Sequence, residues 1–180
     1  LFDNSYPFTK LFSKDLGGKN HLKSKTTYVF KIDNGESYLI DVEEYGHNIY
    51  IIKFCPKKLK RHPKRFNILT NENKMPQIVA TCVQVMLQTL KKNPLANFGF
   101  LGSNTIDFSK QYVESKCETK RYRIYRYVMM NYLNEETFSH HMDRKNSTYL
   151  AINNKNENKD EILVKANKMF ESLFPMLTDI

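Results

Sequence analysis

Between Met75 and Gly102 the chain carries a helix pattern that is apolar on most sides and runs, after a short break, into an apolar strand pattern. The polar residues Gln77, Thr81, Gln84, Gln88 and Lys91 recur at helical spacing and mark one narrow stripe. Ile78, Val79, Ala80, Cys82, Val83, Val85, Met86, Leu87 and Leu90 fill the rest. Such a helix must be covered over most of its circumference, which demands a sheet and further helices around it. Pro76 suits the first turn, where a backbone N–H has no partner to lose. Lys91, Lys92 and Asn93 ahead of Pro94 form a stop whose cations meet the negative end of the helix dipole. Asn97-Phe98-Gly99-Phe100-Leu101-Gly102 then reads as a short buried strand.

The segment before this helix alternates with period two. Tyr28, Phe30 and Ile32 share a face, Asp33-Asn34-Gly35 makes a hairpin turn, and Tyr38, Ile40 and Val42 oppose Leu39, Asp41 and Glu43. Gly46-His47-Asn48 makes the next turn and Ile49–Phe54 a third strand, so 26–55 is an antiparallel meander. The right-handed crossover rule places Asn97–Gly102 parallel to Ile49–Phe54. Residues 103–118 are polar and read as loop. Thr119–Leu133 is a second helix that buries Tyr122, Tyr125, Val128, Met129 and Tyr132. Phe138, His140 and Met142 alternate with Ser139 and His141, and after a polar turn Thr148–Ile152 closes a second hairpin. A last helix over 159–177 starts with Asp160 and Glu161 and gathers Ile162, Ala166, Met169, Phe170, Leu173 and Leu177 on one face, which is predicted to dock on the sheet of its own chain. Residues 1–25 show no clean period and read as irregular, with a short helix around Lys10–Leu16. The expectation is one α/β (α+β) domain over 1–180, with a mixed, mostly antiparallel sheet in the order β-β-β-α-β-α-β-β plus the C-terminal helix. Its core is 26–153.

Cys55, Cys82 and Cys117 are odd in number, widely spaced and never in a CxxC pair, a pattern of reduced thiols rather than of a disulfide framework or a zinc ribbon. No apolar run approaches the roughly 18 residues of a membrane helix, so the expectation is a cytoplasmic protein without a membrane partner. Lys and Arg number 28 against 19 Asp and Glu, and the resulting +9 favours anionic partners.

Two basic clusters are candidate anion sites. Lys57, Lys58, Lys60, Arg61, Lys64 and Arg65 crowd with His62 into a loop punctuated by Pro56 and Pro63, just ahead of the positive end of the first helix. This loop serves either to grip phosphates or simply to stay solvated. Lys120, Arg121, Arg123 and Arg126 stand near the start of the second helix, where the dipole disfavours cations. An anionic ligand would offset that repulsion, and so would Glu114 and Glu118 folding back. His140, His141 and Asp143 do not make a metal site, because adjacent strand residues point to opposite faces.

The order of elements from Thr26 to Asn153 resembles the GCN5-related N-acetyltransferase (GNAT) fold, whose sheet splays open at the strands flanking the central helix. Thr119-Lys120-Arg121-Tyr122-Arg123-Ile124-Tyr125 is similar to that family's penultimate helix, with its motif Asn-x-x-Ala-x-x-x-Tyr; Glu118 stands for the Asn, Arg121 for the Ala, and Tyr125 matches. The chain also resembles GNAT-like proteins of Bacteroidetes and phages. The resemblance implies acetyl-CoA as cofactor and Tyr125 as a catalytic general acid. Two departures stand beside it. No glycine lies between Phe54 and Gln77, where the family's pyrophosphate loop would be, and Ile49–Phe54 lacks the glutamate that often serves as general base. The first expectation is therefore a GNAT-like domain without the standard CoA loop that binds a polyanion, such as a nucleic acid in a toxin, defence or phage setting. The alternatives are an acyl-CoA-dependent N-acyltransferase with a divergent loop, which requires a cleft between the ends of Ile49–Phe54 and Asn97–Gly102, and a protein-interaction domain.

Overall fold

The computed structural model describes residues 4–68 and 74–174. Its strands are β1 (Phe8–Asp15), β2 (Leu22–Lys31), β3 (Ser37–Tyr45), β4 (Ile49–Pro56), β5 (Asn97–Leu101), β6 (Ile106–Asp107), β7 (Tyr112–Val113), β8 (Phe138–Asp143) and β9 (Thr148–Asn153). Its helices are α1 (Met75–Lys92), α2 (Lys120–Tyr132) and α3 (Lys159–Leu173). Seven strands form one mixed sheet in the order β1-β2-β3-β4-β5-β9-β8, and β6 with β7 makes a separate ribbon. Every neighbouring pair in the large sheet is antiparallel except β4 and β5, which run parallel across the α1 crossover.

Period-two alternation divides the sheet into two faces. Tyr28, Phe30, Tyr38, Ile40, Tyr50, Phe98 and Ala151 pack against Val79, Val83 and Met86 of α1 and Val128 and Met129 of α2. Ile49, Ile51, Leu150 and Ile152 point the other way, onto Ile162, Ala166, Met169 and Phe170 of α3. The C-terminal helix thus docks on its own sheet; its expected last turn, to 177 with Leu177, lies outside the described residues. The Asp33-Asn34-Gly35 turn forms as expected, with Gly35 at φ +82 and its N–H donating to the Ile32 carbonyl at 2.8 Å.

Two segments differ from the sequence reading. The stretch 1–25 is not irregular over most of its described length: β1 pairs antiparallel with β2 from Phe8↔Phe30 to Asp15↔Ser24, and no helix forms around Lys10–Leu16. The pattern was hidden because β1 is an edge strand. Seven of its eight residues are exposed, and a bulge between Lys10 and Phe12 breaks the alternation. Only Phe8 turns inward, edge-on to Tyr28 at 5.6 Å. Residues 103–118 are not all loop, since β6 and β7 pair through Ile106↔Val113 and Asp107↔Tyr112.

The feature that positions the candidate site is where β4 and β5 part. They pair only at Ile49↔Asn97, Tyr50↔Phe98 and Ile51↔Gly99. Beyond that, β4 follows β3 to Tyr38↔Pro56 while β5 follows β9 to Leu101↔Thr148. The ring of Tyr125, from α2, lies edge-on to Phe54 of β4 (6.2 Å, 74°) and to Phe100 of β5 (5.0 Å, 78°), so it sits as a wedge between the diverging strands. Phe100 is fixed in turn by stacking on Tyr149 at 5.0 Å.

Candidate functional site

The start of α2 determines which side chains reach the cleft. Thr119 is its N-cap: the hydroxyl accepts from the Tyr122 N–H (3.1 Å) and donates to the Gly102 carbonyl (2.7 Å), tying the helix to the end of β5. The Glu114 carboxylate takes the N–H of Lys120 at 2.7 Å and of Thr105 at 2.9 Å. Burial alone would raise the pKa of Glu114, but these two amides outweigh it and hold the carboxyl below its usual range. Glu118 stands 3.8 Å from Arg126 and 3.6 Å from Arg144. Both acids therefore do fold back, and the cations at this helix start are offset from within the chain.

That phase of α2 turns Arg121 toward the cleft and Lys120 and Arg123 away from it. Arg121 donates to the Ile68 carbonyl at 3.2 Å and, more weakly, to the Ser103 carbonyl at 3.4 Å. Arg123 is exposed and donates to the Glu118 carbonyl. The basic loop is built from short turns, with Lys60 N–H bonded to the Lys57 carbonyl and His62 N–H to that of Leu59. Asn67 locks the loop to the ribbon side by donating to both oxygens of Asn104, while its carbonyl accepts from the Ile106 N–H. Of the six loop cations only Arg65 lines the cleft, its guanidinium 4.5 Å from the Phe66 ring. Lys57, Lys58, Lys60, Arg61 and Lys64 are exposed around it; Lys58 pairs with Glu36 and Lys60 lies over Phe12.

The outer part of the cleft is a cavity of about 110 Å³ walled by Tyr38, Ile52, Phe54, Arg65, Ser103, Arg121 and Tyr125, among others. The structure thus gathers three of the residues singled out in the sequence, Arg65, Arg121 and Tyr125. Among the described residues lining it, none is Asp, Glu or His. Lys53 and Ser103 also line it, and neither stands out in the sequence except that Lys53 interrupts an apolar strand. Lys53 pairs with Glu43 at 2.6 Å. Adjoining the outer cavity, and sharing the walls Ile52, Phe54 and Tyr125, is an apolar inner chamber of about 60 Å³. It is lined by Val79, Cys82, Val83, Met86, Phe98, Gly99, Phe100, Val128 and Met129 and is partly open to solvent.

Burial pushes the Tyr125 phenol well above its ordinary value, against a smaller pull downward from Arg121. Burial likewise raises the Cys82 thiol, so both groups keep their protons at neutral pH. Tyr45 and Tyr149 are raised mainly by burial too, and the Cys55 thiol is pushed up to about 11 for the same reason. These acids hold protons in the folded chain that the unfolded chain has already released, so the unfolded state binds fewer protons above about pH 8.5 for the two thiols and above about pH 10 for the phenols. Stability should be level up to about pH 8 with respect to these groups, begin to fall as the unfolded thiols ionise, and keep falling as pH rises through the folded values. Urea midpoints at pH 8, 9.5 and 11 measure this, and an unchanged midpoint at pH 11 would contradict the burial of these groups.

His140 and His141 separate as adjacent strand residues must. His140 bonds the Tyr149 hydroxyl, His141 lies opposite Leu150 in the β8–β9 ladder, and Asp143 binds Asn146 in the turn. Among the described residues no three His, Cys, Asp or Glu side chains come together as metal ligands, and no helix is long and apolar enough to cross a membrane. No protein-family model, curated protein or solved structure matches the chain.

Proposed function

We propose that the chain is a GNAT-like N-acyltransferase that takes an acyl-CoA thioester in the cleft between β4 and β5 and passes the acyl group to an amine. The observation that carries this reading is the parting of one parallel strand pair within a mostly antiparallel sheet, with a protonated tyrosine at the split. Past Ile51 the edge of β4 that faces β5 has no strand partner, so an extended amide-bearing arm has backbone groups to bond there. Arg65 and Arg121 stand at the same cavity and favour phosphate, guanidinium being suited to bidentate contact. In this divergent loop, side-chain cations take the place of the glycine-rich amide cradle. In the reaction the amine nitrogen attacks the thioester carbonyl, the C–N bond forms and the C–S bond breaks. The Tyr125 phenol protonates the leaving thiolate, and the proton shed by the new ammonium restores the phenol.

Acetyl-CoA binding tests the reading first. A ligand that binds only the folded chain must raise its melting temperature, so the absence of any thermal shift at millimolar acetyl-CoA would reject it. The chemistry is tested by Tyr125→Phe, which keeps the wedge and removes only the hydroxyl. We expect kcat for any amine the wild type acylates to fall about a hundredfold or more, with acetyl-CoA affinity preserved. An unchanged kcat would remove Tyr125 as the acid. A second reading, binding of a nucleic acid, is favoured by the exposed Lys57, Arg61 and Lys64, which make no ion pair among the described residues. It requires RNA or DNA affinity that falls steeply with salt; affinity no better than that of a basic control protein would reject it.

A further inference from the structure

We infer that the inner chamber between α1, α2 and β5 receives the acyl group, and that the donor carries a saturated chain of about four to six carbons rather than acetyl. The inference rests on the cleft being the thioester site, and deepens that reading by naming the acyl class. Its motivation is an apolar pocket that adjoins the thioester site, where a hydrocarbon chain would leave water for apolar walls. Val79, Val83 and Val128 face its space of about 60 Å³. One water-sized group occupies roughly 10–15 Å³, so the chamber admits several such groups. An acetyl methyl fills only a fraction of that, and a decanoyl chain exceeds it.

The lining also sets the polarity of the guest. No side chain in the wall carries a charge, and its two polar hydrogens, on Cys82 and Tyr125, stay in place at neutral pH. A carboxylated or amino-bearing acyl group would bring a charge to a place without a counter-ion, which costs far more than any packing returns. Position matches as well. Tyr125, Phe54 and Ile52 wall both spaces, so a thioester held against them in the outer cavity stands next to the chamber.

The test is a calorimetric series of CoA, acetyl-, butanoyl-, hexanoyl- and decanoyl-CoA on the full chain, with succinyl-CoA as the charged control. We expect the Kd to fall about fourfold for each methylene added beyond acetyl, to stop falling by decanoyl, and to show no gain for succinyl. Val83→Leu or Cys82→Met, which fill the chamber, should abolish the preference of hexanoyl over acetyl; the wild-type series decides the matter if neither variant folds. Equal affinity from CoA through hexanoyl-CoA would overturn the acyl-chamber inference while the cleft reading stands. Failure of every thioester and of CoA itself to bind would overturn the cleft reading, and the inference with it.

Discussion

Gly102→Ala should destabilise the chain by about 3 kcal/mol or more, at the upper end of what overpacking costs. A Cβ at this position would stand 2.6 Å from Tyr122 Cβ, 2.7 Å from Thr119 Oγ1 and 2.7 Å from the Tyr122 backbone nitrogen. Those are not the ends of flexible side chains. They belong to the first turn of α2 and to its capping hydroxyl, and Gly102 is itself pinned by its N–H to the Ser147 carbonyl at 2.8 Å and by its carbonyl to Thr119. Relief requires α2 to move away from β5, which breaks the cap and withdraws both Arg121 and Tyr125 from the cleft. Gly99 offers the control. An added Cβ there meets Phe170 Cζ at 3.0 Å, the tip of a side chain rather than backbone or a helix cap. Urea unfolding of both variants should therefore rank Gly102→Ala as the more damaging. A Gly102→Ala chain of wild-type stability would mean that the first turn of α2 does not pack on Gly102.

The large elements were legible in the sequence because each has a strong one-dimensional pattern. The narrow polar stripe of α1, the alternation of β2 through β4 and the apolar face of α3 all announce a buried surface at a fixed period. The parallel placement of β5 beside β4 followed from chain handedness once α1 was recognised. β1 was not legible, for it buries almost nothing: its pairing uses backbone groups that every sequence possesses, and the bulge at Leu11 shifts the few apolar residues out of phase. The ribbon of β6 and β7 is too short to carry a period.

The candidate site was legible only in part, and for a related reason. Lys120, Arg121 and Arg123 look alike in sequence, yet only one faces the cleft, and the choice is made by the rotation of α2 about its axis. That rotation is set by Thr119 bonding to Gly102 and by the burial of Tyr122, Val128 and Met129. The same phase points Tyr125, three residues past the buried Tyr122, at the gap between Phe54 and Phe100. Within the basic loop, Arg65 reaches the cavity while its neighbours stay in solvent because Asn67 fixes the end of the loop against Asn104. The inner chamber has no sequence signal at all. It is the space left by side chains from four separate elements, and valine reads as core whether or not the core is full.

Phe170→Ala should cost about 3–5 kcal/mol, the second large effect expected of a single substitution here. Phe170 is 7% exposed and belongs to the cluster in which α3 meets Ile49, Ile51, Leu150 and Ile152. Its ring lies over Gly99, where β5 has no side chain of its own, so truncation leaves a hole that the sheet has no atoms to close. Relaxation must then come from α3 tilting inward, which Ala166 and Met169 already resist by their own contacts with the sheet. The loss should appear as a lower urea midpoint with an unchanged m-value, because the same surface is exposed on unfolding. It should also be independent of protein concentration, since the docking is within one chain. A folded Phe170→Ala monomer of equal stability would show instead that the apolar stripe of α3 serves a partner, and that the sheet carries this face uncovered in the isolated chain.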